Sequence, residues 1–328
     1  MKRLLLAALV LVLLGTGALL YSKLRHPSFA PYAALEHPAT PAAAGTLQVR
    51  FLGVSTLLLD DGETAIMTDG FFSRPGLLRV LLGTLSSDPS RIEHGLRKAG
   101  VTRLAAVMTA HSHHDHGMDA PEVARRTGAL LLGSESTANI ARGRGFPEDR
   151  LRIIQGDETF TFGRFKVTII QSPHSPDALF PGVISAPLPR EAKASAYKEG
   201  GNYSFLIEHQ GRRLLIHPSA NFKPGFLKDV KVDVVFLGIG ALGKQSAQFT
   251  RDYWREVVQA TGAKVVVPIH WDDFMQPLDE PLQPMPLLLD DFDLSMQRLQ
   301  QLAEADKVTL RFMPVFQPSA ILGAIPPR

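Results

Sequence analysis

The 328-residue chain has no cysteine. This excludes a disulfide scaffold and any thiolate metal site, and it fits an exported protein whether or not its compartment is oxidising. Charge of one sign is scarce as well. The formal net charge is +3, and Lys2, Arg3, Lys23 and Arg25 supply +4 before residue 26; +3 less these four leaves −1 for the remainder. No basic stripe is left to follow a phosphate backbone, so a nucleic-acid partner is not expected. A hydrophobic fraction of 45% against 20% charged residues supplies an ordinary globular core. No internal repeat is visible.

One long hydrophobic run stands out. Leu4 to Tyr21 is uncharged and mostly apolar, and its 18 residues would span roughly 27 Å as a helix, close to the hydrocarbon thickness of a bilayer. Secretory signal peptides have shorter apolar regions, and Gly15-Thr16-Gly17 is a weak cleavage site. Residues 1–22 are therefore expected to be an uncleaved signal anchor, with a cleaved signal peptide and secretion as the alternative. Positive charges flank both sides, so the orientation rule does not decide the topology. Residues 23–45 carry Pro27, Pro31, Pro38, Pro41 and a run of alanines, and read as a tether. The expected location is the cell membrane, with a periplasmic or extracellular domain over residues 46–328.

From Thr46 onward short β-patterned runs alternate with helical ones. Leu47–Leu52, Ser55–Leu59 and Thr64–Thr68 read as strands, with Asp60-Asp61-Gly62 as a tight turn. Residues 70–90 form an irregular apolar stretch, read as core in preference to a cleft wall. Pro89–Gly100 is a short helix feeding the apolar strand Leu104–Met108. Directly after it comes Thr109-Ala110-His111-Ser112-His113-His114-Asp115-His116-Gly117-Met118-Asp119. Side chains on a loop just past a strand end can converge on one point, and imidazole with carboxylate suits zinc. An incidental histidine tract would have neither the preceding strand nor the embedded aspartate.

His111-x-His113-x-Asp115-His116 resembles the HxHxDH signature of metallo-β-lactamase-fold hydrolases. The trailing Asp119 resembles the branch that includes ascorbate-phosphate lactonase and N-acyl-phosphatidylethanolamine phospholipase D. The resemblance implies an α+β fold, a four-layer αββα sandwich. It also implies one metal on His111, His113 and His174, and a second on Asp115, His116 and His270. His174 and His270 suit that expectation, since each follows an apolar run at a strand end, and His174 is fixed between Pro173 and Pro176. Three nitrogen ligands leave zinc's fourth position for water, whose pKa falls from 15.7 to about 7, so hydroxide on the metal is the expected nucleophile. Asp115 is the expected catalytic carboxylate, either binding the second ion or deprotonating the water.

Asp69 is expected to support the metal loop from behind, and Asp119 and His217 to lie beside it. Tyr197, Lys198 and Glu199, in the proline-rich stretch between His174 and Asn202, are polar candidates for substrate contact. Where the family usually places Gly-Asp, with the Asp bridging two metals, this chain has Pro218-Ser219. A neutral hydroxyl is a far weaker ligand than a carboxylate, which weakens the second zinc site. The leading reading is a zinc-dependent hydrolase, with one or two ions, acting on an ester, lactone or phosphodiester. A phospholipid phosphodiesterase at the membrane surface is a narrower version, with a lipid in place of a small-molecule substrate. A non-catalytic metal-binding envelope protein is the contrasting one.

Overall fold

Leu57–Asp60 (β2) shows how this chain builds its layers. Leu57 and Leu59 face one core cluster and Leu58 the other, because successive side chains on a strand point to opposite faces. A sheet covered on both faces needs apolar residues at every position, and β2 is buried up to Leu59. The computed structural model describes residues 12, 15–17, 21–39, 46–176, 179–319 and 321. Most of the run expected as a signal anchor lies outside these residues. Among the described residues no helix is long and apolar enough to cross a membrane.

The first sheet runs in the order β1 (Gln48–Phe51), β2, β3 (Ala65–Thr68), β4 (Ala106–Met108), β5 (Leu130–Gly133) and β6 (Leu151–Ile153). β1 to β3 pair antiparallel and β3 to β6 parallel. The second sheet orders β13 (Thr309–Leu310), β12 (Val265–Ile269), β11 (Val234–Gly238), β10 (Arg212–His217), β9 (Asn202–His209), β8 (Phe165–Ser172) and β7 (Thr159–Phe162). It too is antiparallel in its first part, β7 to β10, and parallel in its second, β10 to β13. Val49, Phe51 and Ile66 of the first sheet share a core with Val167, Phe205 and Ile216 of the second. Helices Pro89–Lys98 and Ala120–Thr127 cover the first sheet through Ile92, Leu96 and Val123. Helices Ala247–Trp254 and Phe292–Asp306 cover the second through Tyr253, Trp254, Met296 and Leu299. The result is the αββα sandwich implied by the resemblance.

Two readings of the sequence need correcting. Residues 26–37, read as part of a tether, are packed onto the domain. Phe29 stacks on Trp271 with centroids 4.9 Å apart, Tyr32 is buried in a 3₁₀ turn over Ala30–Leu35, and the Tyr32 hydroxyl donates to Asp293 at 2.8 Å. Proline blocks a long helix but not a short turn held down by aromatic burial. The second correction concerns residues 70–90. Phe71 and Phe72 are buried, but Leu77–Leu82 forms a helix with no buried residue. With Arg79 as its one polar residue, the helix has no polar stripe to give away its orientation, so sequence periodicity could not assign one.

Candidate metal centre

Three of the expected ligands emerge just past strand termini. β4 leads to His111, β8 to His174 and β12 to His270. Ends of strands in both sheets thus meet along one edge of the sandwich, where rigid strands hold loop side chains. The short helix His114–Gly117 winds the backbone so that Asp115 and His116 turn to one side of the loop.

His111, His113 and His174 form one cluster with centroids 4.5 to 4.9 Å apart. Asp115, His116 and His270 form the other; in each cluster the ligand atoms lie within 4.8 Å of one another. In the second, His116 Nε2 is 3.2 Å from His270 Nε2, and Asp115 Oδ2 is 3.4 Å from His116 Nε2 and 3.3 Å from His270 Nε2. Tetrahedral ligands about 2.05 Å from zinc sit about 3.3 Å apart. The triangle therefore has the size of one face of a zinc tetrahedron.

Protonation in the first cluster suits ligation. Burial, with the neighbouring imidazole of His113, pushes His174 down to about 3. Burial likewise pushes His113 down to about 4 and His111 well below the ordinary range. All three rings are neutral at pH 7 and keep a lone pair. His111 and His113 each have a buried ring nitrogen without a hydrogen-bond partner. The second cluster is the anionic half. Burial opposes charge on His116, but the carboxylates of Asp115 and Asp69 outweigh it and lift the imidazole to about 10. Asp115 stays well below the usual carboxylate range despite its burial, because His116 lies beside it. The potential that holds a proton on His116 also favours a metal cation.

Asp69 fixes the ring. Its Oδ2 accepts from His116 Nδ1 at 2.9 Å and from Ser55 Oγ at 2.6 Å, and its Oδ1 accepts from Ala110 N at 2.8 Å. A proton on Nδ1 leaves Nε2, the nitrogen facing Asp115 and His270, as the donor atom. His270 is held through its backbone: its N–H donates to Val54 O at 2.6 Å, and Val54 N donates to Asp272 Oδ1 at 2.8 Å. Asp272 is itself locked by Arg74 at 2.5 Å, with both side chains fully buried. A Cβ on Gly53 would fall 1.9 Å from the Arg74 guanidinium, so only glycine fits there. Gly240 is constrained in the same way, since a Cβ on it would lie 2.8 Å from His270 Nδ1.

The other expected residues scatter. Ser219 lines the site, but its Oγ donates to Asn202 Oδ1 at 3.1 Å. Asp119 accepts from Phe72 N, Ser73 N and Ser73 Oγ at 2.7 to 2.9 Å, so it ties down the chain after β3 and contacts no ligand. His217 is buried between Ser204 Oγ, 2.7 Å from its Nδ1, and Asn221 O, 2.8 Å from its Nε2, away from both clusters. Tyr197 is no substrate contact: it is fully buried, and its hydroxyl accepts from Arg144 at 3.0 Å. Lys198 and Glu199 offer backbone carbonyls to Ser112. Asp290 carries no motif in the sequence. It lines the same cavity with Oδ2 unpartnered, and burial raises it to about 6. Nothing marked it out, because its surroundings are assembled from distant residues.

The ligands open into a cavity of about 590 Å³ whose apolar wall includes Leu77, Val80, Leu81, Leu179 and Phe180. A second cavity of about 610 Å³, beside Tyr32 and helix Phe292–Asp306, contains none of these ligands.

Residues 48–270 match the family described as "Beta-lactamase superfamily domain". The chain is 24% identical over 245 residues to a UPF0173 metal-dependent hydrolase of Heliobacterium modesticaldum, covering 70% of this chain and 84% of that protein. It is 22% identical over 275 residues to a UPF0173 metal-dependent hydrolase of Symbiobacterium thermophilum, covering 81% and 97%. Among solved structures, the isothiocyanate hydrolase from Delia radicum gut bacteria superposes with a TM-score of 0.51 at 15% identity, over 84% of this chain and 99% of that one. The metallo hydrolase Igni18 of Ignicoccus hospitalis gives 0.50 at 16% identity, over 83% and 97%. At these identities the two structures speak for the fold alone.

Proposed function

Because the chain belongs to the beta-lactamase superfamily, we propose that it is a zinc-dependent hydrolase of an ester, lactone or phosphodiester carrying an apolar group. The observation that carries this reading is the Asp115–His116–His270 triangle, with edges of 3.2 to 3.4 Å, beside three neutral imidazoles. Zinc bound to such a donor set supplies Lewis acidity and a water whose pKa falls from 15.7 to about 7.

The chain's own residues do the rest. Asp69 holds the His116 tautomer, the Arg74–Asp272 pair holds the loop of His270, and Asp115 stays ionised to bind cation or accept a proton. Ser219 puts a neutral hydroxyl where a bridging carboxylate would strengthen the second site, so the second ion is the weaker one.

The narrower phospholipid reading is supported by the leucines that line the cavity, which suit acyl chains better than a polar sugar or peptide. The leader is read as the anchor that keeps the domain at the membrane, facing the periplasm or cell exterior. Full-length chain, stripped by chelator and reloaded with zinc, should turn over at least one member of a panel of bis-aryl phosphate, aryl ester, lactone and phospholipid. Turnover that is absent on every member, or unchanged by chelation, would reject the reading.

A further inference from the structure

Around the mouth of the metal site lie leucines that the hydrolytic reading does not require. Leu81, Leu82 and Leu179 are 67%, 82% and 70% exposed, and Leu289 is 39% exposed; all four line that one cavity. Single exposed leucines are unremarkable, but four around one mouth form a patch of the kind that marks an interaction surface. Leu81 and Leu82 belong to the helix Leu77–Leu82, whose sequence LLRVLL has one charge, and Arg79 Nε donates to Thr84 O at 2.9 Å.

A second observation says what covers the patch. Leu288 N donates to Lys23 O at 2.7 Å, and Leu287 N to Arg25 O at 3.2 Å. The backbone just after the apolar leader is therefore fastened to the residues immediately before Leu289. Tyr21 to Leu24 is helical, so Tyr21, the last residue of the uncharged run, lies within about one helical turn of that attachment. Cations ring the same place. Lys23, Arg25 and Lys193 are exposed, Lys193 lines the mouth, and exposed Lys244 donates to Leu287 O at 2.6 Å. A leucine rim among lysines matches a bilayer with anionic headgroups, where apolar side chains reach the acyl boundary and ammonium groups stay at phosphate level.

We propose that the mouth of the metal site docks on the bilayer surface, with Leu81, Leu82, Leu179 and Leu289 in contact with lipid. A substrate could then pass from the membrane into the cavity without crossing water. The proposal rests on the anchor reading of the leader, and it is independent of whether the site hydrolyses anything.

The cysteine-free chain makes the test direct. Full-length Leu82→Cys, Leu179→Cys and Lys166→Cys are each labelled with a polarity-sensitive fluorophore and reconstituted into phosphatidylcholine/phosphatidylglycerol vesicles, with and without nitroxide-bearing lipid. Lys166 is exposed near the start of β8, the end remote from His174. The expected result is blue-shifted emission at positions 82 and 179, with lipid quenching several-fold greater than at 166. Water-like emission at both rim positions in chains that float with the vesicles would overturn docking while leaving the anchor intact. A blue shift without lipid quenching would overturn it in favour of a second copy of the chain. Equal quenching at all three positions would overturn it because no face is selected. Chains that fail to float would overturn the anchor reading and docking together, and zinc-dependent turnover, measured separately, reports on the hydrolase reading alone.

Discussion

Replacing Asp69 with asparagine should weaken one metal site and spare the other. The side chain is fully buried and accepts three hydrogen bonds, from His116 Nδ1, Ser55 Oγ and Ala110 N. Asparagine keeps the shape and can still accept from Ala110 N through its carbonyl. Its NH₂, however, faces two donors where the carboxylate faced two partners. A hydrogen bond to a charged acceptor contributes about 1.5–3 kcal/mol. Loss of a carboxylate that orients a ligating histidine weakens metal binding about 10- to 100-fold, or about 1.4–2.8 kcal/mol at 1.4 kcal/mol per decade. The two routes agree. Zinc titration against a chromophoric chelator should show the weaker ion shifted by that factor, and the ion on His111, His113 and His174 unchanged. A thermal melt alongside separates site damage from unfolding. Wild-type affinity for both ions in a folded Asp69→Asn protein would refute the role given to this carboxylate.

Two further substitutions test other parts of the site. Ser219→Asp puts a carboxylate on the cavity wall and should raise zinc content toward two per chain by elemental analysis; an unchanged count would show that position 219 does not face the metals. Asp290→Asn should remove a pH-dependent penalty. The folded protein raises this carboxyl to about 6 from 3.8, so between those values it binds more protons than the unfolded chain. Its contribution to stability therefore falls as pH rises through that window, by about 3 kcal/mol once both states are ionised. Asparagine can still accept from Gly243 N and Asp291 N, the present partners of Oδ1. Urea denaturation should show the variant gaining on the wild type by about this amount at pH 7.5 compared with pH 4, and a pH-independent difference would contradict the assignment.

The candidate metal centre was legible because its parts are local. Four of the six residues in its two clusters fall within the short motif at 111–116, and His174 and His270 each follow an apolar strand, a pattern that needs no tertiary information to see. Groups that work only through distant partners were not legible. Arg74 meets Asp272, 198 residues away, and Phe29 stacks on Trp271, so neither showed a signal in its own neighbourhood. Tyr197 looked like a substrate contact because a polar residue in a long loop is usually exposed; Arg144, a partner 53 residues away, is what draws its hydroxyl inside. The helix Leu77–Leu82 differs for the opposite reason, since its hydrophobic composition points to the core while Leu77, Leu81 and Leu82 line the cavity.

Zinc analysis of the purified full-length chain beside its His113→Ala variant, with X-ray absorption at the zinc edge, tests the central claim most directly. The account predicts at least one zinc per wild-type chain, nitrogen and oxygen ligands at about 2.0–2.1 Å with no sulfur, and loss of that zinc in the variant. A wild-type chain that stays metal-free in excess zinc, or a His113→Ala chain that keeps the full complement, would contradict it.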